Sequence, residues 1–133
     1  MKNGITKLSR KNKQERKSGK IKFALVGSRT FTNYDILKQV MDLARKHGIL
    51  KEIVSGGARG ADSLAKKYAV ENDVPYKEFP AQWDLYGKSA GFIRNKLIVD
   101  YCDIVIAFWD GKSRGTKDTI KLVKKAGKKI VIM

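Results

Sequence analysis

From Ile21 onward, short apolar runs alternate with amphipathic stretches of helical period, and most of the runs end in glycine-rich turns. Strands interleaved with helices read as βαβ units around a parallel sheet, so this alternation limits the fold more than any other feature. Ile21–Val26 (IKFALV) is a buried-strand candidate that ends at Gly27. Asp35–His47 reads as a helix with Ile36, Leu37, Val40, Met41 and Ala44 on one face, and Gly48 is placed to stop it. Glu52–Val54 is a short strand. Ala61–Asn72 is a second helix, striped by Ala61, Leu64, Ala65, Tyr68 and Ala69. Tyr76–Phe79 is a weak strand after Pro75, and Ser89–Tyr101 a third helix. Asp103–Trp109 is the most strand-like segment, followed by a last helix at Lys117–Ala126 and a last strand at Lys129–Met133. The expectation is an α/β, three-layer domain over residues 21–133, with a mostly parallel sheet of about five strands covered on both faces.

Residues 1–20 differ in texture. They are polar and basic, and read as a disordered tail rather than core. No apolar run approaches the roughly 20 residues a bilayer crossing requires. The basic start also lacks the apolar centre of a secretory leader. These features predict a cytoplasmic protein without a membrane partner. Cys102 is the only cysteine and His47 the only histidine, which argues against disulfide frameworks, Cys- or His-based metal sites and a Ser-His-Asp triad. Cys102 reads as core, His47 as a helix-end contact and Asp35 as a first-turn residue.

The net charge is +16, and it is unevenly spread. Residues 1–22 hold nine cations and one anion, residues 23–111 twelve and eleven, and residues 112–133 eight and one. A nearly neutral central region therefore lies between two basic ends, and a polyanion such as nucleic acid is a candidate partner for those ends. Lys117, Lys121, Lys124, Lys125 and Lys128 fall on one projected face of the last helix and form a candidate nucleic-acid patch.

In a parallel α/β sheet the ligand site lies beyond the carboxyl ends of the strands. Three sequences there have the chemistry of anion cradles. They are Gly27-Ser28-Arg29-Thr30, Ser55-Gly56-Gly57-Ala58-Arg59-Gly60-Ala61-Asp62 and Asp110-Gly111-Lys112-Ser113-Arg114-Gly115-Thr116. Glycines admit a close phosphate, helix N-terminal amides point at it, and hydroxyls and arginines add donors. The spacing matches neither GxGxxG nor GxxxxGK[ST], which argues against a dinucleotide fold and a Walker-type ATPase. Trp83 and Tyr86 stand in a polar, loop-like segment where a base or ribose could stack. Arg94 and Asn95 lie early in the third helix, and Arg94 among apolar neighbours suits a phosphate or ribose contact.

Together GSRTF (27–31), SGGARGAD (55–62), PAQWDLYGKSAGFIRN (80–95) and AFWDGKSRGT (107–116) resemble the YspA-like branch of the SLOG superfamily, which joins DprA (Smf) and the LOG-type nucleotide enzymes. The resemblance implies a Rossmann-like domain that binds a nucleotide-derived, phosphate-bearing ligand, ADP-ribose-like or a nucleoside phosphate; the residues themselves mark no certain further cofactor and no metal site. It implies that Gly27, Ser28 and Arg29 line the pocket, that Gly56, Gly57, Arg59 and Gly60 form the main phosphate loop, to which the Ser55 hydroxyl adds a donor, and that Asp62 braces that turn or meets a ribose. Arg94 and Asn95 would contact the ligand, while Gly111, Ser113, Gly115 and Thr116 would close a second loop. Likeness to DprA implies an alternative, single-stranded DNA or RNA binding, and likeness to SLOG relatives implies self-association. Likeness to LOG enzymes implies a third, hydrolysis of nucleoside monophosphates. Thr119, however, stands where their GGxGTxxE motif has Glu, so a carboxylate expected to stabilise positive charge on the sugar is missing.

Overall fold

The computed structural model describes residues 19–133. The expected basic tail falls largely on residues 1–18, outside the described residues. The elements in order are β1 (Ile21–Gly27), α1 (Tyr34–Lys46), β2 (Leu50–Ser55), α2 (Ala61–Glu71), β3 (Tyr76–Glu78), α3 (Trp83–Tyr86), a 3-10 turn at Gly87–Ser89, α4 (Ala90–Tyr101), β4 (Ile104–Phe108), α5 (Arg114–Ala126) and β5 (Lys129–Ile132). The five strands pair entirely in parallel, in the order β3-β2-β1-β4-β5.

The two-residue period of a strand divides this sheet's core in two. On one face Phe23 and Leu25 of β1 join Ile53, Ile106 and Phe108 under Leu37 and Met41 of α1 and Ala65 and Tyr68 of α2. On the other face Ala24 and Val26 of β1 join Val54, Val105 and Ala107 under Ile98 and Val99 of α4 and Ile120 and Val123 of α5. Because β1 and β4 are covered on both sides, residues 23–26 and 104–108 read as unbroken apolar runs. The small residues Ala24 and Ala107 leave room for α4 and α5 to approach.

Close approach at the sheet's upper edge depends on two glycines. A Cβ at Gly27 would lie 2.3 Å from the Phe108 carbonyl oxygen and 2.8 Å from the Ala61 Cβ, so α2 reaches β1 only with glycine there. Gly60 has φ +75°, and a Cβ there would lie 2.2 Å from the Ser28 carbonyl oxygen. This contact lets Ala61 N–H donate to that oxygen at 3.3 Å and starts α2 against the β1 loop.

The element bounds differ from expectation mainly at ends. β2 begins at Leu50 and runs to Ser55, paired to β1 on one side and β3 on the other. α5 starts at Arg114, three residues before its expected start, because the Ser113 hydroxyl accepts from Thr116 N–H and caps it. The segment expected as loop between residues 80 and 91 contains α3 and the 3-10 turn.

Candidate functional site

β1 and β4 are neighbours in the sheet, yet the chain leaves them in opposite directions, toward β2 and toward β5. Connections that diverge in this way leave a crevice at the strands' carboxyl ends. A cleft of about 360 Å³ lies there. Its walls come from the end of β1 and the β1–α1 loop (Gly27, Ser28, Arg29, Thr30), the β2–α2 loop and first turn of α2 (Ala58, Asp62), one side of α4 (Arg94, Asn95, Ile98) and the β4–α5 loop and first turns of α5 (Asp110, Ser113, Gly115, Thr116, Thr119). Four segments distant in sequence thus meet at one place.

Ser28 ties two of these walls together. Its buried hydroxyl accepts from Asp110 N–H at 3.0 Å, and its own N–H donates to the Phe108 carbonyl at 3.0 Å. The β1 loop is thereby fixed to the end of β4.

Arg94 and Asn95 form the opposite brace. Arg94 Nη1 donates to the Gly56 carbonyl at 2.8 Å, and Nε donates to Asn95 Oδ1 at 3.1 Å. Asn95 is buried and donates onward to Asp118 Oδ2 at 3.1 Å and to the Gly115 carbonyl at 3.3 Å. The β2–α2 loop is therefore linked through α4 to the first turn of α5. Burial lowers the Arg94 guanidinium's affinity for its proton, and the nearby Asp62 charge opposes that shift. The group stays charged and confined.

Asp62 is only 7% exposed. Its Oδ2 accepts from Ala58 N–H at 3.1 Å. Burial raises the carboxyl above its usual range, against the Ala58 amide and the Arg94 charge, which pull it down. Asp110 behaves differently because it stands in water. Its Oδ1 accepts from Lys112 N–H at 2.7 Å and Ser113 N–H at 2.8 Å, and these bonds hold its carboxyl below the usual range. Aspartate two residues ahead of a turn amide commonly folds back in this way. Both glycine-rich loops thus contain an internal carboxylate bonded to backbone amides that phosphate could otherwise use.

The structure gathers Gly27, Ser28, Arg29, Asp62, Arg94, Asn95, Ser113, Gly115 and Thr116 around the cleft. It places other sequence-expected residues elsewhere. The Ser55 hydroxyl is fully buried and paired with the Tyr76 hydroxyl at 2.6 Å, which in turn donates to Glu78 at 2.9 Å. Gly56 contributes through its carbonyl to Arg94. Gly57, at φ +75°, lies against the Glu78 carboxylate, and Gly60 packs on Ser28. Arg59 is exposed and outside the cleft wall, as is Gly111. Trp83 and Tyr86 are 52% and 44% exposed on α3, with the Trp83 ring over Gly91 rather than in the cleft.

The lysine stripe divides. Lys117, Lys121, Lys124 and Lys125 are exposed along α5. Lys128 lies beyond the helix, and its Nζ donates to the carbonyls of Val99, Asp100 and Cys102 at 2.6, 3.1 and 2.7 Å. It caps the carboxyl end of α4. Cys102 is buried beside it, and burial pushes its thiol up to about 11.

Residue identities do not mark Ile98 for the cleft, nor Thr119 as part of its wall, and they mark Thr30 and Asp110 only as members of the strand-end loops. Thr119 Oγ1 donates to the Gly115 carbonyl at 3.1 Å, while the neighbouring Asp118 carboxylate is held by Asn95. Among the described residues no helix is long and apolar enough to cross a membrane, and no cluster of three or more metal-ligating side chains occurs.

Two solved structures share this fold. DNA processing protein A (DprA) from Helicobacter pylori, described for its single-stranded DNA binding mode, superposes with a TM-score of 0.65 at 22% identity, over 88% of this chain and 66% of that one. DprA from Streptococcus pneumoniae superposes with a TM-score of 0.70 at 19% identity, over 89% of this chain and 51% of that one. In sequence, the chain is 36% identical to the Gene 61 protein of Mycobacterium phage D29 over 81 residues, which is 56% of this chain and 65% of that protein. The chain therefore spans about two thirds or less of the length of these relatives. Residues 21–86, from β1 through α3 and including the GSRTF and SGGARGAD loops, match the family described as YspA, cpYpsA-related SLOG. Over those residues the chain is similar to the YspA-related SLOG family, and over most of its length it shares the fold of the two DprA structures.

Proposed function

We propose that this chain binds single-stranded nucleic acid, with a backbone phosphate seated in the β1–β4 cleft and the strand continuing over α5. The observation that carries this reading is the continuity between cleft and basic face. Gly115 and Thr116 belong to the cleft wall, and Lys117, Lys121, Lys124 and Lys125 follow on the exposed side of the same helix. At 1.5 Å per residue, Lys117 to Lys125 extends this face by about 12 Å. Arg29 and Arg94 supply forked donors at the cleft end. Likeness in fold to DprA, one structure of which is described by its single-stranded DNA binding, supports the same reading. Trp83 and Tyr86 are exposed near the start of α4 and would stack on a flanking base.

Fluorescence anisotropy with a labelled oligothymidylate tests the proposal. Affinity should fall linearly with salt on a log–log plot, by about 0.7 per phosphate contact. Arg94→Ala should weaken binding at least about tenfold, with far-UV circular dichroism retained. A folded protein that fails to bind the oligonucleotide at low salt refutes the reading.

The cleft's size favours a second reading, a free nucleotide-derived ligand such as ADP-ribose or a nucleoside phosphate. Its volume of about 360 Å³ falls in the roughly 300–1,000 Å³ range of small-molecule sites. Isothermal titration with ADP-ribose and nucleoside monophosphates addresses it, and no heat from any of them removes it.

A further inference from the structure

Four charged side chains line the cleft, and their signs cancel: the guanidinium groups of Arg29 and Arg94 stand against the carboxylates of Asp62 and Asp110. The carboxylates are built into the loops. Asp110 holds the amides of Lys112 and Ser113, Asp62 holds that of Ala58, and the Ser113 hydroxyl accepts from Thr116 N–H at 3.4 Å. Among the described residues, the amides of Arg114 and Gly115 at the start of α5 have no protein acceptor. The cleft therefore offers two arginines and a short row of amides, with internal anions beside both.

We infer that the cleft selects a bridging phosphate and rejects a terminal phosphomonoester. The class accepted is a phosphodiester, or the internal phosphates of a nucleotide derivative, each carrying one negative charge. This inference rests on the nucleotide reading of the cleft and narrows it. A monoester carries close to two charges at neutral pH, because its second pKa is about 6. The first charge can be met by an arginine fork and the α5 amides. The second faces Asp62, which is too buried for water to screen well. A bridging phosphate lacks that second charge, and the ester groups flanking it bring sugar hydroxyls and ether oxygens instead. Carboxylate oxygens at the wall accept from hydroxyls, so Asp62 and Asp110 favour the sugar side of the ligand while opposing a dianion.

The 133-residue chain is tested by competition against a labelled oligothymidylate with a 5′-hydroxyl end, in which every phosphate is bridging. The competitors are thymidylyl-thymidine, thymidine monophosphate and ADP-ribose. At about pH 8 the monophosphate should compete at least about tenfold more weakly than thymidylyl-thymidine. At about pH 5.5 the gap should close, because the monoester sheds its second charge. The titrating and charged groups facing the ligand there are Asp62, Asp110, Arg29 and Arg94, with Glu78 behind Asp62. Protonation of Asp62 acts in the same direction. Asp62→Asn keeps an acceptor for Ala58 N–H and should narrow the gap at about pH 8 by raising affinity for the monophosphate. If that variant unfolds by circular dichroism, the pH series decides alone.

Equal competition by the two thymidine compounds at about pH 8 overturns the inference while leaving oligonucleotide binding intact. A gap that persists in the folded variant and at low pH overturns it as well. Failure of the oligonucleotide and all three small probes to bind overturns the nucleotide reading and the inference together. ADP-ribose outcompeting thymidylyl-thymidine supports the inference and identifies a small ligand, rather than a polymer, as the source of the bridging phosphates.

Discussion

Replacing Lys128 with methionine separates a structural lysine from its helical neighbours. Gly127 adopts φ +72° after the last turn of α5, and Lys128 N–H returns to the Val123 carbonyl. That reversal aims the Lys128 side chain across to α4, where its ammonium meets the carbonyls of Val99, Asp100 and Cys102. These carbonyls lie at the negative end of α4, and no further turn of helix satisfies them. Hydrogen bonds from a charged donor contribute about 1.5–3 kcal/mol, and a cation at a helix carboxyl end about 0.3–1 kcal/mol when exposed. Lys128 is half-buried, so part of this is screened by water. The expected loss is about 2 kcal/mol, or a melting point lower by roughly 5–10 °C. Methionine keeps the apolar stem and removes only the ammonium, so the urea m-value should be unchanged.

The comparison variants are Lys121→Met and Lys124→Met, on the exposed face of α5. Each should alter stability by less than about 0.5 kcal/mol. Each should also reduce the salt slope of oligonucleotide binding by about 0.7, whereas Lys128→Met should leave that slope unchanged. Urea denaturation and anisotropy on the same three proteins provide both readouts. The reasoning fails if Lys128→Met costs less than about 0.5 kcal/mol, or if it lowers the salt slope like the others.

Gly60→Ala should destabilise the chain by more than about 2 kcal/mol, since it combines positive φ with a Cβ 2.2 Å from the Ser28 oxygen. Gly111→Ala, at φ +82° in open space, should cost only about 1–2 kcal/mol, and urea denaturation of the pair measures the difference. Tyr68 is fully buried and donates to Asp42 Oδ1 at 2.6 Å, with burial as the main reason its hydroxyl is pushed up to about 12. Its raised pKa means that the folded state favours the protonated phenol. That contribution is complete below about pH 10 and is lost as pH rises toward 12. Tyr68→Phe should flatten the decline of stability across that window, as followed by urea midpoints at stepped alkaline pH.

The layers of this fold are legible because burial on both faces leaves a direct mark on residue type. IKFALV and DIVIAFW are apolar apart from Lys22 and the leading Asp103, which suits strands covered by helices on either side, and their apolar stretches lie in β1 and β4. Gly27 and Gly60 were legible as glycines at strand-end turns, although the reason for them, contact between α2 and the β1 loop, is tertiary. The segment from residue 80 to 91 was harder. Its polar residues gave no helical stripe, and α3 is four residues long and exposed, so no periodicity could develop.

The lysine stripe shows where sequence periodicity stops being informative. Counting Lys128 with Lys117, Lys121, Lys124 and Lys125 extends a helical projection through a position where the helix has ended. Gly127 is the stop, and its left-handed conformation sends the next side chain toward a different element. A glycine after a basic, amphipathic run carries that information in sequence. Asp62 and Asp110 pose a deeper ambiguity. An aspartate beside a glycine-rich turn has the same sequence signature whether the turn's amides await a phosphate or already hold the aspartate. Only atomic positions separate these cases, and here Asp110 is bonded to two loop amides while Asp62 holds one. Loops read as empty cradles are thus partly filled by the protein's own carboxylates. Those carboxylates brace the loops, and under the inference drawn above they also limit the negative charge that each bound phosphate can carry.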